Sequence, residues 1–148
     1  MIYLGADHAG FQLKEEIKKY LADLGHEVED MGAHELKEDD DYPDYILPVA
    51  QKVAADPNSK GIIFGGSGQG EDMVADKVSG VRSAVYYGGP LDIVKLSRQH
   101  NDANVLSLGA RILDREQAQE AVKLWLETEF EGGRHERRVN KIRDIENG

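Results

Sequence analysis

Residues 65–71 read Gly65-Gly66-Ser67-Gly68-Gln69-Gly70-Glu71 and follow directly on the apolar run Ile62-Ile63-Phe64. Glycines let a chain take positive φ and approach a ligand closely, and the first amides of a following helix lack carbonyl partners. Such a turn gathers N–H donors around one point and favours negative charge there. The spacing Gly-x-Gly-x-Gly fits neither the dinucleotide fingerprint nor the P-loop, and Gly70 is followed by Glu71 where a P-loop has lysine. A carboxylate at that point would repel a nucleotide's phosphates. It would serve as a base on a carbon acid, beside amides that bear the charge produced. The competing reading is a plain strand-to-helix turn with a helix-favouring acid in its first turn.

Four other groups carry candidate chemistry. Asp7 and His8 end the first strand, where a side chain projects into a crevice; Asp7 is also a good cap for the helix that follows, and His8 is able to contact phosphate or shuttle protons. His100-Asn101-Asp102 closes a helix just before the last strand, which places it beneath the sheet in its own chain. It reads either as a helix end, with Asn101 taking left-handed geometry, or as a contribution to the crevice of a second copy. Arg134 and Arg138, if helical, share a face at i and i+4 and can grip one dianion together. Arg111, just past the last strand, is a further cation near the crevice. The acids of 38–41 read as a solvated loop; Tyr42 after them could line the crevice, and Pro43 suits the start of a helix. His26, His34 and the helix acids lack convergent spacing, so no metal ligand set is expected, and no Ser-His-Asp order stands out.

The elements that must position these groups alternate. Short apolar runs suggest strands near 2–6, 26–31, 61–65, 81–87 and 104–109; helical periodicity covers 11–24, 43–55, 70–78, 90–101 and 115–130. The runs at 62–64 and 81–87 look buried on both faces, as parallel strands covered by helices should be. The pattern predicts an α/β fold: a Rossmann-like, doubly wound, five-stranded parallel sheet of order 2-1-3-4-5 with a C-terminal helical tail. In such a sheet ligands bind outside the carboxyl ends of the strands where the winding reverses, here between the first and third strands. The loops holding Asp7-His8 and the glycines would face each other there.

Composition narrows the function. The chain of 148 residues has no linker-like segment, so a single domain over 1–148 is expected, with 131–148 as a basic tail. It has no cysteine, which excludes disulfides and thiolate metal sites. The N-terminus lacks a basic region before an apolar one, and no run approaches the ~20 apolar residues of a membrane span. A cytoplasmic protein without membrane contacts is expected. The formal charge is −10, from 28 acids against 18 Lys and Arg, so nucleic acid is an unfavourable partner. The local exception is 134–143, with Arg134, Arg137, Arg138, Lys141 and Arg143 against Glu136.

The blocks Gly5-Ala6-Asp7-His8-Ala9-Gly10-Phe11, Tyr42-Pro43-Asp44-Tyr45, Gly66-Ser67-Gly68-Gln69-Gly70, His100-Asn101-Asp102-Ala103-Asn104-Val105 and Phe130-Glu131-Gly132-Gly133-Arg134-His135-Glu136-Arg137-Arg138 together resemble ribose-5-phosphate isomerase type B. That family also contains allose-6-phosphate and galactose-6-phosphate isomerases. The resemblance implies cofactor-free and metal-free interconversion of an aldose phosphate and a ketose phosphate, most simply ribose 5-phosphate and ribulose 5-phosphate of the pentose phosphate pathway. It also implies a homodimer or tetramer with sites shared between subunits. By position, Asp7 and His100 would assist ring opening, the loop with Gly66, Gly68 and Gly70 would cradle the enediolate, and Ser67 would manage its proton. His8, Arg111, Arg134 and Arg138 would hold phosphate, Tyr42 would line the pocket and Asn101 would hold a sugar oxygen. Many members have a cysteine base where this chain has Gly65; another branch has a glutamate just after the loop, and Glu71 matches it. Six-carbon sugar phosphates, or a non-catalytic sugar-phosphate sensor, are the alternatives.

Overall fold

The strand runs 2–6, 60–65 and 105–109 are largely apolar while 28–30 is Val28-Glu29-Asp30, and each strand is followed by a helix with one apolar face. The computed structural model describes residues 1–148. Its strands are β1 (Ile2–Ala6), β2 (Val28–Asp30), β3 (Lys60–Gly65), β4 (Ser83–Tyr86) and β5 (Val105–Gly109). The helices are α1 (Phe11–Asp23), α2 (Pro43–Ala55), α3 (Gln69–Asp76), α4 (Asp92–Gln99), α5 (Arg115–Glu127) and α6 (Arg134–Asn147). All strand pairs are parallel. Side chains alternate across the sheet. Ile62, Phe64, Leu106 and Leu108 pack with α1, α4 and α5 around Trp125, while Ile63 and Val105 pack with α2 and α3. Helices thus cover both faces, as expected, and none is long and apolar enough to cross a membrane.

The fold class agrees with the sequence pattern, but the strand order does not. The observed order is β2-β1-β3-β5-β4, so β5 lies beside β3 and β4 forms the edge. Burial accounts for this. Every residue of β5 is buried, whereas Ser83, Ala84 and Val85 of β4 are only half-buried and Tyr87 is exposed, so the 81–87 run is not covered on both sides. The interior position also suits the ends of β5. A β-carbon on Gly109 would lie 2.6 Å from the carbonyl oxygen of Ser67, so only glycine lets β5 run this close to the loop after β3. The Ser107 hydroxyl donates to the Gly68 carbonyl at 2.6 Å from within the core.

Helix α6 confirms the helical tail and begins after Gly132 and Gly133, both at positive φ. It packs on its own chain through buried His135 and Val139, and Glu146 accepts the Gly80 amide at 2.8 Å. Two local expectations change. The left-handed residue after α4 is Asp102, not Asn101, at φ 49; its carboxylate is held there by Arg82 at 3.3 Å and Arg98 at 3.0 Å. Asp40 is not a solvated acid, because its side chain is almost wholly enclosed.

Replacing Ser107 with alanine removes one of the two donors to the Gly68 carbonyl and leaves the Asp72 amide, at 3.0 Å, as the other. The expected cost is about 0.5–1.5 kcal/mol, read as a lower urea midpoint at unchanged slope.

Candidate active site

Because β1 and β3 are neighbours and the chain winds outward in opposite directions from them, the loops after both strands open into one crevice. The glycine loop turns into α3 through Gly68, which caps the helix at φ +82, in the left-handed region where glycine is favoured. The amides of Gly66, Ser67, Gly68 and Gly70 donate to no carbonyl of the chain, and Gln69 N–H reaches only the Ser67 hydroxyl, at 3.3 Å. These free donors and the N-terminus of α3 form the anion-favouring cradle expected from the glycine spacing.

Glu71 sits on the third residue of α3 but does not point outward. It is 4% exposed, and a β-carbon placed on Gly65 would fall inside its carboxyl group. The glutamate therefore fills the space that any side chain at position 65 would need. One carboxyl oxygen, Oε2, is buried without a hydrogen-bond partner. Desolvation raises the Glu71 pKa above the ordinary carboxylate value; its own backbone amide opposes this, and the nearby charge of Asp7 adds to it. A base kept short of hydrogen bonds and lifted toward neutrality is well suited to take a proton from carbon. The plain-turn reading of Glu71 does not account for this burial.

Across the crevice, Asp7 is buried and is not the helix cap the sequence offered. Its Oδ1 accepts the amides of Ala9 and Gly10 at 3.1 and 3.3 Å, which fixes the turn before α1, although Gly10 is the capping residue itself. Asp40 accepts both the His8 backbone N–H at 3.0 Å and the ring Nδ1–H at 2.7 Å. That hydrogen bond, joined by the charge of Asp7, raises the His8 pKa despite some desolvation and favours a cationic imidazolium. Tyr42 does line this region: its ring closes over Gly70, where a β-carbon would lie 2.7 Å from its hydroxyl. The interior place of β5 brings Arg111 over Gly66, with its amide donating to the Gly66 carbonyl at 3.0 Å. Ser67 is exposed on the rim.

The remaining candidates form a second group. His100 caps the C-terminal end of α4, at the opposite end of β5 from the crevice, on the order of 13 Å away for four residue steps. There its ring stacks on His135 at 4.1 Å and 12°, with Glu131 beside both. The fold thus joins the 100–101 block to the 134–138 block, with Asn101, Arg134 and Arg138 exposed nearby in sequence. It does not bring either block to the glycine loop of the same chain. The largest cavity, about 600 Å³, is at neither place; Lys60, Arg82, Arg98 and Arg143 line it at the amino ends of the strands.

Residues 2–142 match the family model described as Ribose/Galactose Isomerase. The chain belongs to this family. It is 44% identical over 145 residues, 98% of its length and 95% of the relative's, to ribose-5-phosphate isomerase B of Escherichia coli K12. It is 40% identical, over 98% of its length and 96% of the relative's, to a putative sugar phosphate isomerase of Bacillus subtilis. A crystal structure of ribose-5-phosphate isomerase B from Mycoplasma genitalium with bound ribulose-5-phosphate superposes at TM-score 0.95, with 37% identity over 99% of this chain and 95% of that one. The corresponding Clostridium thermocellum protein superposes at 0.93, with 44% identity over 99% and 97%.

Sequence reasoning missed four contributors. Ser107 was visible as the one hydroxyl in an otherwise apolar strand; Asp40 had nothing to separate it from the acids around it, and Glu131 and His135 meet His100 only through tertiary packing.

A methyl group at position 65 tests the packing of Glu71. Gly65→Ala is expected to stay folded while the Glu71 carboxyl group is pushed aside, lowering kcat about 10²-fold, as displacements near 1 Å can. Assay of folded variant beside wild type checks it.

Proposed function

We propose that this chain is an aldose–ketose isomerase interconverting ribose 5-phosphate and ribulose 5-phosphate. The observation that carries the reading is the enclosed Glu71 carboxylate, with Oε2 unpartnered, beside a cradle of free amides. Relatives that bear the name ribose-5-phosphate isomerase B across nearly their whole length support the five-carbon substrate. A sensor of sugar phosphates would need the cations but not a desolvated base.

The reaction begins with ring opening: one of Asp7 and His100 takes the anomeric hydroxyl proton while the other gives a proton to the ring oxygen. Glu71 then removes the proton from C2. The bond electrons form a C1=C2 double bond and the aldehyde oxygen becomes the oxyanion of a cis-enediolate, held by the amides of the 66–70 loop. Glu71 returns the proton to C1, and the C2 hydroxyl proton passes with the help of Ser67 to the oxyanion on C1, which leaves a ketone at C2 and a hydroxyl at C1. No step needs a metal or a cofactor. His8 and Arg111 hold the phosphate from the crevice side, and Arg134 and Arg138 hold it from a second subunit of a dimer or tetramer, with Asn101 on a sugar oxygen and Tyr42 walling the pocket. Asymmetric placement of the two residue groups in one chain supports this shared assembly, in which the 131–148 tail serves its partner. A phosphate gripped by paired guanidinium forks supplies binding energy that positions C2 against the base.

Glu71→Gln keeps the shape and removes the base, so kcat is expected to fall by about 10²–10⁴. In the wild type, kcat/KM should decline on acidification with a midpoint above the ordinary glutamate range, and that limb should vanish in the variant. For stability the sign is reversed. A raised carboxyl pKa penalises the ionised native state above that pKa and not below the unfolded one, so Glu71→Gln should unfold at higher temperature at pH 7. The gain is lost in acid, and it amounts to about 1.4 kcal/mol for each pH unit separating the folded and unfolded pKa.

Mixing Glu71→Gln chains with His100→Ala chains tests the shared site. Random pairing makes half the dimers hybrid, each with one intact site of two, so about a quarter of wild-type activity should return. Verified hybrids without activity would return both groups to one chain.

A further inference from the structure

Glu131 and His135 surround His100 with a donor set that the isomerisation does not use. Glu131 Oε1 lies 3.9 Å from His100 Nε2 and 3.6 Å from His135 Nε2, and one donor atom from each residue falls within 4.8 Å of the others. Zinc takes imidazole nitrogen and carboxylate oxygen at about 2.0–2.2 Å, which sets neighbouring donors of a tetrahedral site roughly 3.3–3.5 Å apart. The two Glu131 contacts, at 3.6 and 3.9 Å, lie near that spacing, and the two imidazole nitrogens, within 4.8 Å of each other, adjust to it on binding; two imidazoles with one carboxylate are a borderline set suited to zinc, cobalt or nickel and not to magnesium or calcium. We propose that His100, Glu131 and His135 bind a divalent transition-metal ion of the zinc class, and that the ion, by occupying His100 Nε2, inhibits the isomerase. The inhibitory half rests on the function proposed above; the binding half does not.

Mobility of the ligands is distributed as such a site needs. His135 is fixed, 7% exposed on α6. His100 and Glu131 have side chains 40% and 50% exposed and are free to adjust. The lone pair of an imidazole lies in its ring plane, so binding requires the stack to open from its 12°, with His100 turning toward the ion. The exposed side of Glu131 leaves a fourth position for water. The other grouping of this kind, Asp7, His8 and Asp40, is already committed: Asp40 Oδ1 takes two bonds from His8, and Asp7 Oδ1 takes the loop amides.

Untagged, chelator-stripped protein is titrated with Zn²⁺ against a chromophoric chelator and, separately, with Co²⁺ under visible absorption. One ion per chain with a tetrahedral Co²⁺ band is expected. Glu131→Gln and His135→Gln should each weaken binding at least about tenfold, and His8→Gln should not. With ribose 5-phosphate, saturating Zn²⁺ should slow the wild type at least about tenfold and His135→Gln by less than about twofold, each against its own metal-free rate. No binding below millimolar metal, equal affinity in the Glu131 and His135 variants, loss of the ion in His8→Gln, or a bound ion with an unchanged rate would overturn the proposal. Glu131→Gln alters an exposed side chain, so it decides the matter even where His135→Gln does not fold. Metal-free protein that binds Zn²⁺ as described but has no isomerase activity at all would refute the proposed function and leave the binding site standing.

Discussion

A carboxylate enclosed by protein is stable only where something compensates its lost hydration, and at Glu71 the compensation is partial. The N-terminus of α3 and the residue's own amide favour the charge, while enclosure and Asp7 oppose it. The geometry that holds the group in this position must therefore be supplied by the surrounding backbone. Gly65 provides the space, since no side chain fits there beside the carboxyl group. Gly68 turns the chain into α3 with left-handed geometry, and Ser107 ties that turn to the centre of the sheet. Each of these residues is fixed by the need to aim one partly uncompensated charge, and together they explain why the loop has glycines at these places and not at the spacing of a nucleotide site.

The strand order follows from the same need. With β5 beside β3, Ser107 reaches Gly68 and the residue after β5 places Arg111 across Gly66. Were β4 in that place, as the order of the strands along the chain suggests, its end would present Tyr87 and two glycines at the crevice, and no cation. An interior β5 thus carries both the hydroxyl that supports the glycine loop and, just past its end, the arginine that lies over that loop.

Much of this was legible in advance. The boundaries of β1 and α2 read directly from the chain, because a clean apolar run and a proline at the first turn mark them locally. The glycine loop and Glu71 were legible because turn chemistry is local too. The interchange of β4 and β5 was not, since both are short apolar runs and only the surface left over after packing shows which is half-covered. Asp40 illustrates the other limit: four neighbouring acids look alike in sequence, and one alone meets a histidine 32 residues away. The stack of His100 on His135 belongs to the same class, a contact made by the ends of two helices whose relative position no local pattern encodes.

The charge balance of the chain bears on the assembly of its site. A dianionic sugar phosphate approaches a molecule of formal charge −10, so its binding has to come from cations close to one another and sheltered from that field. In a single chain the phosphate-binding candidates are divided: His8, whose bond to Asp40 raises its pKa, and Arg111 stand at one end of the sheet, and Arg134 and Arg138 belong to the tail beside His100 at the other. Neither pair alone offers a dianion the enclosure that strengthens such contacts, and the crevice of one chain is not its largest cavity. Two chains that face the tail of each to the crevice of the other would bring three guanidinium groups and His8 around one phosphate and His100 opposite Asp7. On the proposed reading, closing the site and binding its substrate are therefore the same electrostatic event, and the basic tail of an acidic protein has its reason in the partner's pocket.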